Sequence, residues 1–205
     1  MKIAGVGCIV FGYLVVSSAL NAQGYYYDDV GEVNTYAGVG LGQIGTHGWV
    51  GASSGAQFAK YFRGYIDSSY LPLGGRPLRA YDGVVNTSRL YDINFTLKVQ
   101  IPTRHRFTPY GLASSALLLN TYSALRVYPD GTAQYHGYTD SRFGFEVGGG
   151  VRYYFGDDWG GMGEYRYTFS TRNFSRVGTG VFYEFHGYIP FLPRRARRVK
   201  KTVEE

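Results

Sequence analysis

The sequence predicts an all-β fold, an eight-stranded antiparallel up-and-down transmembrane β-barrel with a plugged polar lumen. Long segments alternate apolar and polar residues with a period of two, which is the side-chain period of a strand. Glycine accounts for 30 of the 205 residues and aromatics for 18%, and this composition favours strands and turns over helices or disorder. The glycines share a face with charged residues, which indicates the face that lies inside.

The chain begins with the layout of a secretory signal peptide over residues 1–22. One basic residue precedes a long apolar stretch, and small or polar residues follow it. Cleavage is expected after Ala22 or after Gly24, and a retained membrane helix is the competing interpretation. The single cysteine, Cys8, lies in this stretch, so the mature chain is expected to lack disulfides and thiolate metal sites. Residues 23–32 form a short N-terminal segment in this scheme.

Eight strands are predicted from alternating segments that turn signals separate. The clearest is RLYDINFTLKVQI, residues 89–101, in which six apolar residues alternate with five polar ones. Pro129-Asp130-Gly131 is one of the turn signals between segments. No helical period of useful length follows the signal segment. The predicted strands cover residues 33–44, 53–62, 64–72, 88–101, 106–119, 141–155, 161–170 and 176–187, so the barrel spans residues 33–187.

Glycine positions assign the charged face of these strands to the interior. Gly144, Gly148 and Gly150 share the face of Glu146 and Arg152. Small residues belong on the crowded concave side of a narrow eight-stranded barrel. The aromatic face is then outside, where a bilayer accepts it but water does not. A soluble lipocalin-like binding barrel, with its apolar face around a ligand cavity, is the alternative.

The inward-facing ionisable residues are the candidate site. They form a lumen charge network in which acids and bases neutralise one another, because unpaired charges in a narrow interior are costly. A paired network that plugs the barrel and a gated ion path both use the same residues. Lys60 and Asp67 are weaker candidates for this network. Its members by parity are Asp92, Lys98, Arg142, Glu146, Arg152, Glu164, Arg166 and Glu184.

The net charge of +6 comes from the C-terminal end of the chain. Six basic residues lie between Arg194 and Lys201, whereas residues 23–193 carry 14 basic against 13 acidic residues. The barrel therefore has no basic stripe for nucleic acid. Residues 188–205 are expected to form a basic C-terminal tail.

No catalytic, cofactor or metal site is predicted. The four histidines show no metal-ligand spacing, and there is no phosphate-binding glycine loop before a helix. The fragments that suggest a nucleophile and a base are Ser53 and Ser54 near His47, and His136 near Asp140 and Ser141. They match no complete catalytic motif, so the chain is not expected to be an enzyme.

Several motifs resemble the small outer-membrane β-barrel family that includes the membrane domain of outer-membrane protein A. They are YAGVGLG at residues 36–42, PYG at 109–111, GFEVGGGVRYYFGDDWGGMGEYRYTF at 144–169 and FSRVGTGVFYEF at 174–185. The resemblance implies a location in the bacterial outer membrane. Family barrels usually end on an aromatic strand, whereas twenty residues follow Phe185 here. The tail is too short to resemble the peptidoglycan-binding domain of larger relatives.

The N-terminus and the even number of strands predict that both chain ends lie on the periplasmic side. Long loops at residues 45–52, 73–87 and 120–140 are expected to face outward, and turns near Arg63, Pro102–Arg104 and Gly156–Trp159 to face inward.

The expected function is a structural, envelope-anchoring or surface-interaction role in the outer membrane. A narrow pore, or a lipid A-modifying barrel enzyme, is the first alternative to this role. The expected partners are outer-membrane lipid and lipopolysaccharide, with peptidoglycan or anionic lipid as partners of the basic tail. The barrel is expected to be a monomer.

Overall fold

The protein is a closed ring of eight antiparallel strands in chain order. The computed structural model describes residues 30–79, 81, 83–101, 103 and 106–186. The predicted signal peptide and basic tail lie outside these residues. The strands are β1 (Val30–Gly42), β2 (His47–Ala59), β3 (Phe62–Gly74), β4 (Val85–Gln100), β5 (Phe107–Val127), β6 (Ala133–Tyr154), β7 (Trp159–Phe169) and β8 (Phe174–His186).

The first and last strands close the ring. β1 pairs with β8 from Val30 opposite His186 to Gly42 opposite Phe174. The predicted number of strands and their up-and-down order are confirmed. None of the described residues belongs to a helix long and apolar enough to cross a membrane.

The two faces of the sheet have the predicted polarity. Asp92 and Glu146 are fully buried, whereas Phe95 is 65% exposed and Phe143 86% exposed. Ionic side chains near the strand centres therefore point into the barrel, and the exposed outer face is apolar. This arrangement excludes a soluble barrel whose cavity is lined by its apolar face.

Glycines allow the narrow ring to close tightly. A Cβ atom added at Gly38 would lie 1.9 Å from the Val177 carbonyl oxygen. One added at Gly148 would lie 2.1 Å from the Tyr165 carbonyl oxygen. Any side chain at these positions would therefore collide with the backbone of the neighbouring strand.

The most extended element is the hairpin of β5 and β6. The prediction of a loop over residues 120–140 is wrong, because β5 and β6 pair without a register shift up to Val127 opposite Ala133. The turn itself follows the predicted signal, with Gly131 at a φ of +83°. The β6–β7 ladder reaches only to Phe145 opposite Phe169, so β6 continues beyond its neighbour. In the part of the hairpin beyond this ladder, neither face of β6 is covered by the barrel interior or by a third strand among the described residues. The regular alternation of apolar and polar residues that predicts a strand is lost there.

Other boundaries also differ from the prediction. β1 begins at Val30, within the predicted N-terminal segment, and β2 begins at His47, within a predicted loop. The β2–β3 turn lies at residues 60–61, and Arg63 belongs to β3. Pro102, Arg104 and His105 are not among the described residues.

Candidate functional site in the barrel interior

Buried ionic side chains lie at two levels of the interior. All of them are at most 8% exposed. The terminal cluster, near the end of the barrel where β1 begins and β8 ends, consists of Glu32, Arg63, Arg152 and Glu184. The central cluster consists of Asp67, Asp92, Lys98, Glu146, Glu164, Arg166 and Arg176.

The terminal cluster pairs two arginines with two glutamates. Arg63 Nη1 lies 2.5 Å from Glu32 Oε2 and 2.6 Å from Glu184 Oε1. Arg152 Nη2 lies 2.8 Å and 2.9 Å from the same two oxygens. Glu32 and Glu184 face each other across the β1–β8 ladder, so ring closure brings two like charges together. The arginines neutralise them, and two tyrosine hydroxyls donate further bonds at 2.8 Å and 2.9 Å.

Arg166 is one centre of the central cluster. Its Nη1 lies 2.9 Å from Asp67 Oδ2 and 3.4 Å from Glu146 Oε2, and its Nε donates to Glu164. Lys98 Nζ lies 2.9 Å from the second oxygen of Glu164. One guanidinium thus contacts acids from three strands.

Arg176 is the other centre. Its Nη1 lies 2.7 Å from Asp92 Oδ2, and its Nη2 donates to Glu146. Asn94 Nδ2 donates to Asp92 at 3.0 Å and to Glu146 at 3.2 Å. The central cluster as defined has four carboxylates and three cations, so its charge is not balanced.

The interior is apolar on the loop side of the central cluster. Leu78, in the β3–β4 loop, is fully buried. Its backbone N–H donates to Asn120 Oδ1 at 2.8 Å, and Arg172 donates to the Pro77 carbonyl at 3.0 Å. These bonds tie the loop to β5 and to the β7–β8 loop. The apolar cluster that Leu78 joins also contains Ile44, Leu71, Leu73, Leu90, Leu118 and Phe174.

Most of the predicted network residues lie in these clusters. Asp92, Lys98, Glu146, Glu164, Arg166 and Asp67 belong to the central cluster, and Arg152 and Glu184 to the terminal cluster.

Two candidates lie elsewhere. The Arg142 side chain is 39% exposed and its Nε bonds Asp140 Oδ2 at 3.1 Å. Position 142 precedes the first β6–β7 pair and so lies beyond the closed part of the ring. Lys60 is exposed in the β2–β3 turn.

Sequence reasoning missed three members of the clusters. Glu32 was assigned to the N-terminal segment and Arg63 to a turn, although both lie in strands. Arg176 has the parity of Gly178 and Glu184 in β8, and this signal was available in the sequence.

The serine and histidine fragments do not form a catalytic pair. His47 and Ser53 lie six residues apart along β2, about 20 Å at the usual rise per residue. His136 and Ser141 lie on opposite faces of β6, because their positions differ by five and side chains alternate along a strand. Among the described residues, no group of three or more His, Cys, Asp or Glu side chains is placed to hold a metal ion.

Comparisons with known proteins agree with this architecture. A family model described as "Outer membrane protein beta-barrel domain" matches residues 13–185. No curated protein matches the chain in sequence.

Solved structures of similar fold are outer-membrane proteins. Neisserial surface protein A is 17% identical, with 77% of this chain and 97% of that chain covered and a TM-score of 0.53. Ail of Yersinia pestis is 11% identical, with 78% and 100% covered and a TM-score of 0.53. OprG of Pseudomonas aeruginosa is 13% identical, with 80% and 99% covered and a TM-score of 0.50. Because the family model covers most of its length, this chain belongs to the outer-membrane protein β-barrel domain family, whose members are proteins of the bacterial outer membrane.

Proposed function

We propose that this protein is a structural, non-conducting barrel that is held in the outer leaflet by lipopolysaccharide bound at its loop end. The observation that carries the proposal is the concentration of arginine and tyrosine at that end, above the apolar outer face. Lipopolysaccharide offers phosphate groups to the arginines and sugar rings to the tyrosines.

The charge of the loop end favours an anionic partner. Only Asp130 and Asp140 are acidic among the described residues of the loops and loop-side strand ends. Arginine guanidinium groups bind phosphate through charge-assisted hydrogen bonds. The arginines at this end are Arg76, Arg79, Arg89, Arg126, Arg142 and Arg172.

Tyrosines provide a flat amphipathic surface beside these arginines. The rings of Tyr122 and Tyr138 are stacked with centroids 5.4 Å apart. Tyr81 packs against both, with centroids at 5.9 Å and 6.1 Å. Tyr135, higher on the hairpin, is 52% exposed. Such rings have an apolar body and a polar tip, which suits the boundary between lipid and sugar.

The proposal of a closed lumen is supported by the interior contacts. A permeating ion would meet carboxylates and cations that already bind one another, and breaking a buried pair costs about 3 to 5 kcal/mol. On the loop side it would also have to displace Leu78 and the apolar cluster around it.

Titration with purified lipopolysaccharide tests whether the loop end binds this lipid. The double variant Arg89→Gln/Arg126→Gln should bind more weakly than the unchanged protein, and the difference should shrink as salt is raised. Tyr183→Phe, near the opposite end and outside both proposed sites, is the control and should bind as the unchanged protein does. Equal binding by the double variant would refute the role of the loop end.

Planar-bilayer recording tests the closed lumen. The unchanged protein should give no steady single-channel current. A steady conductance that responds to Glu146→Gln would instead support the narrow pore. A mass change in lipid A after incubation with the protein would support the enzymatic alternative.

A further inference from the structure

The barrel has a polar cavity at the end opposite the loops. The cavity, which we call the vestibule, has a volume of about 550 Å³. It lies beside the terminal cluster and between the β2–β3 and β6–β7 turns. The lining residues that matter are Lys60, Arg63, Gln100, Arg106, Thr108 and Asp157.

The charge of the vestibule favours an anion. Among the described residues that line it, Lys60 and Arg106 outnumber the one carboxylate, that of Asp157, while the charge of Arg63 is already offset by Glu32 and Glu184. Lys60 and Arg106 are exposed at the rim, whereas Arg63 is 6% exposed at the inner wall. An anion that entered would therefore meet two flexible cations first and a fixed guanidinium behind them.

Two buried donors at the inner wall have no acceptor among the described residues. They are Gln100 Nε2, on a side chain that is 9% exposed, and Arg63 Nε. Glu32 and Glu184 hold Arg63 through its Nη1 atom, which fixes the position of the guanidinium. Both atoms have almost no accessible surface, so a small shift of the side chains must open them to a ligand oxygen. The hydrogen bonds then formed would recover the free energy that an unpaired buried donor costs.

We propose that the vestibule binds a phosphate group. Its oxygens accept hydrogen bonds from Gln100 and Arg63 at the wall and pair with Lys60 and Arg106 at the rim. The volume lies within the range of about 300 to 1,000 Å³ that is typical of small-molecule sites, so a phosphate with a glycerol-sized group fits. The phosphate belongs either to a soluble phosphate ester or to a lipid headgroup at the rim.

Calorimetric titration of the full-length protein in an uncharged detergent tests the soluble source, with inorganic phosphate and glycerol phosphate as probes. Saturable binding is expected, and Lys60→Gln/Arg106→Gln should weaken it about tenfold or more. Gln134→Ala, at the loop end and outside both proposed sites, is the control and should leave the affinity unchanged.

Nanodiscs test the lipid source. Phosphatidylglycerol, but not phosphatidylcholine alone, should shift the Gln100 side-chain amide signal in NMR spectra, and Lys60→Gln/Arg106→Gln should abolish the shift. Binding in detergent identifies a soluble ligand, and a shift in nanodiscs alone identifies the lipid. Absence of both signals, or an equal loss of binding in Gln134→Ala, overturns the proposal.

A variant at the wall separates binding from folding. Gln100→Leu removes a buried donor that lacks an acceptor, so the unliganded barrel should resist unfolding at least as well as before. Its phosphate affinity should fall several-fold. Lower stability with unchanged affinity would remove Gln100 from the site and overturn the proposed geometry.

Discussion

Removing the Arg176 guanidinium should destabilise the barrel more than removing the Glu146 charge. In Arg176→Met, Asp92 loses a cation whose Nη1 lies 2.7 Å from its Oδ2. Glu146 keeps one cation in contact, Arg166 at 3.4 Å. An ion pair at about 4 Å and an effective dielectric constant of about 20 is worth about 4 kcal/mol. This agrees with the loss of about 3 to 5 kcal/mol that follows when one partner of a buried pair is removed.

Glu146→Gln should cost less because it takes away the surplus carboxylate of the central cluster. Arg176 then keeps Asp92, and Arg166 keeps Asp67 and Glu164. The remaining loss is that of weakened hydrogen bonds, about 1 to 3 kcal/mol.

Equilibrium unfolding in urea, with the protein in lipid vesicles and followed by tryptophan fluorescence, measures both changes. The double variant Arg176→Met/Glu146→Gln should be more stable than the sum of the two single losses indicates, because the two residues share a contact. A larger loss of unfolding free energy in Glu146→Gln than in Arg176→Met would refute the inference that Glu146 is the surplus carboxylate of the central cluster.

Three further predictions concern the outer face, the tail and the hairpin turn. Phe95→Arg, on the outer face near the middle of β4, should reduce the folding free energy in vesicles by about 2 to 4 kcal/mol, whereas Tyr135→Arg on the hairpin should change it little. Deletion of residues 193–205 should leave folding intact but weaken the binding of anionic liposomes or purified sacculi, and this loss should depend on salt. Equal binding by the full-length and shortened proteins at low salt would exclude an electrostatic role for the tail. Hydrogen bonds from the Thr132 hydroxyl and backbone N–H hold the pKa of Asp130 below its ordinary value. Thr132→Val should therefore raise the pKa of Asp130, which an NMR titration measures. An unchanged pKa would exclude the hydroxyl as a cause.

The fold could be predicted because a membrane barrel sorts residues by face over the whole length of its strands. In β4 the outward Phe95 and the inward Asp92 follow the alternation in the sequence, and their exposure in the structure agrees with it. Where a strand extends beyond the closed ring, its two faces no longer meet lipid on one side and the barrel interior on the other, so the alternation of apolar and polar residues ends. For this reason the upper part of the β5–β6 hairpin could not be recognised as strand.

The interior could be predicted only in part. Parity indicates which side chains point inward, but the pairs depend on which strands face one another across the ring. Glu32 and Glu184 are far apart in sequence and become neighbours only through the β1–β8 register. The vestibule likewise depends on three connections, β2–β3, β4–β5 and β6–β7, meeting at one end, and no local motif marks it.

The unpaired edge of β6 bears on whether two copies of this protein associate through their hairpins. Residues 133–144 pair with β5 on one side, whereas the ladder with β7 begins only at Phe145. An open strand edge is a template on which another chain can add a strand and begin to aggregate. Asp140 and Arg142 place a charged pair on this edge, and a strand added there would have to cover those charges. We therefore expect the pair to hinder edge-to-edge association, so that a variant without these charges aggregates more readily while its free energy of unfolding changes little.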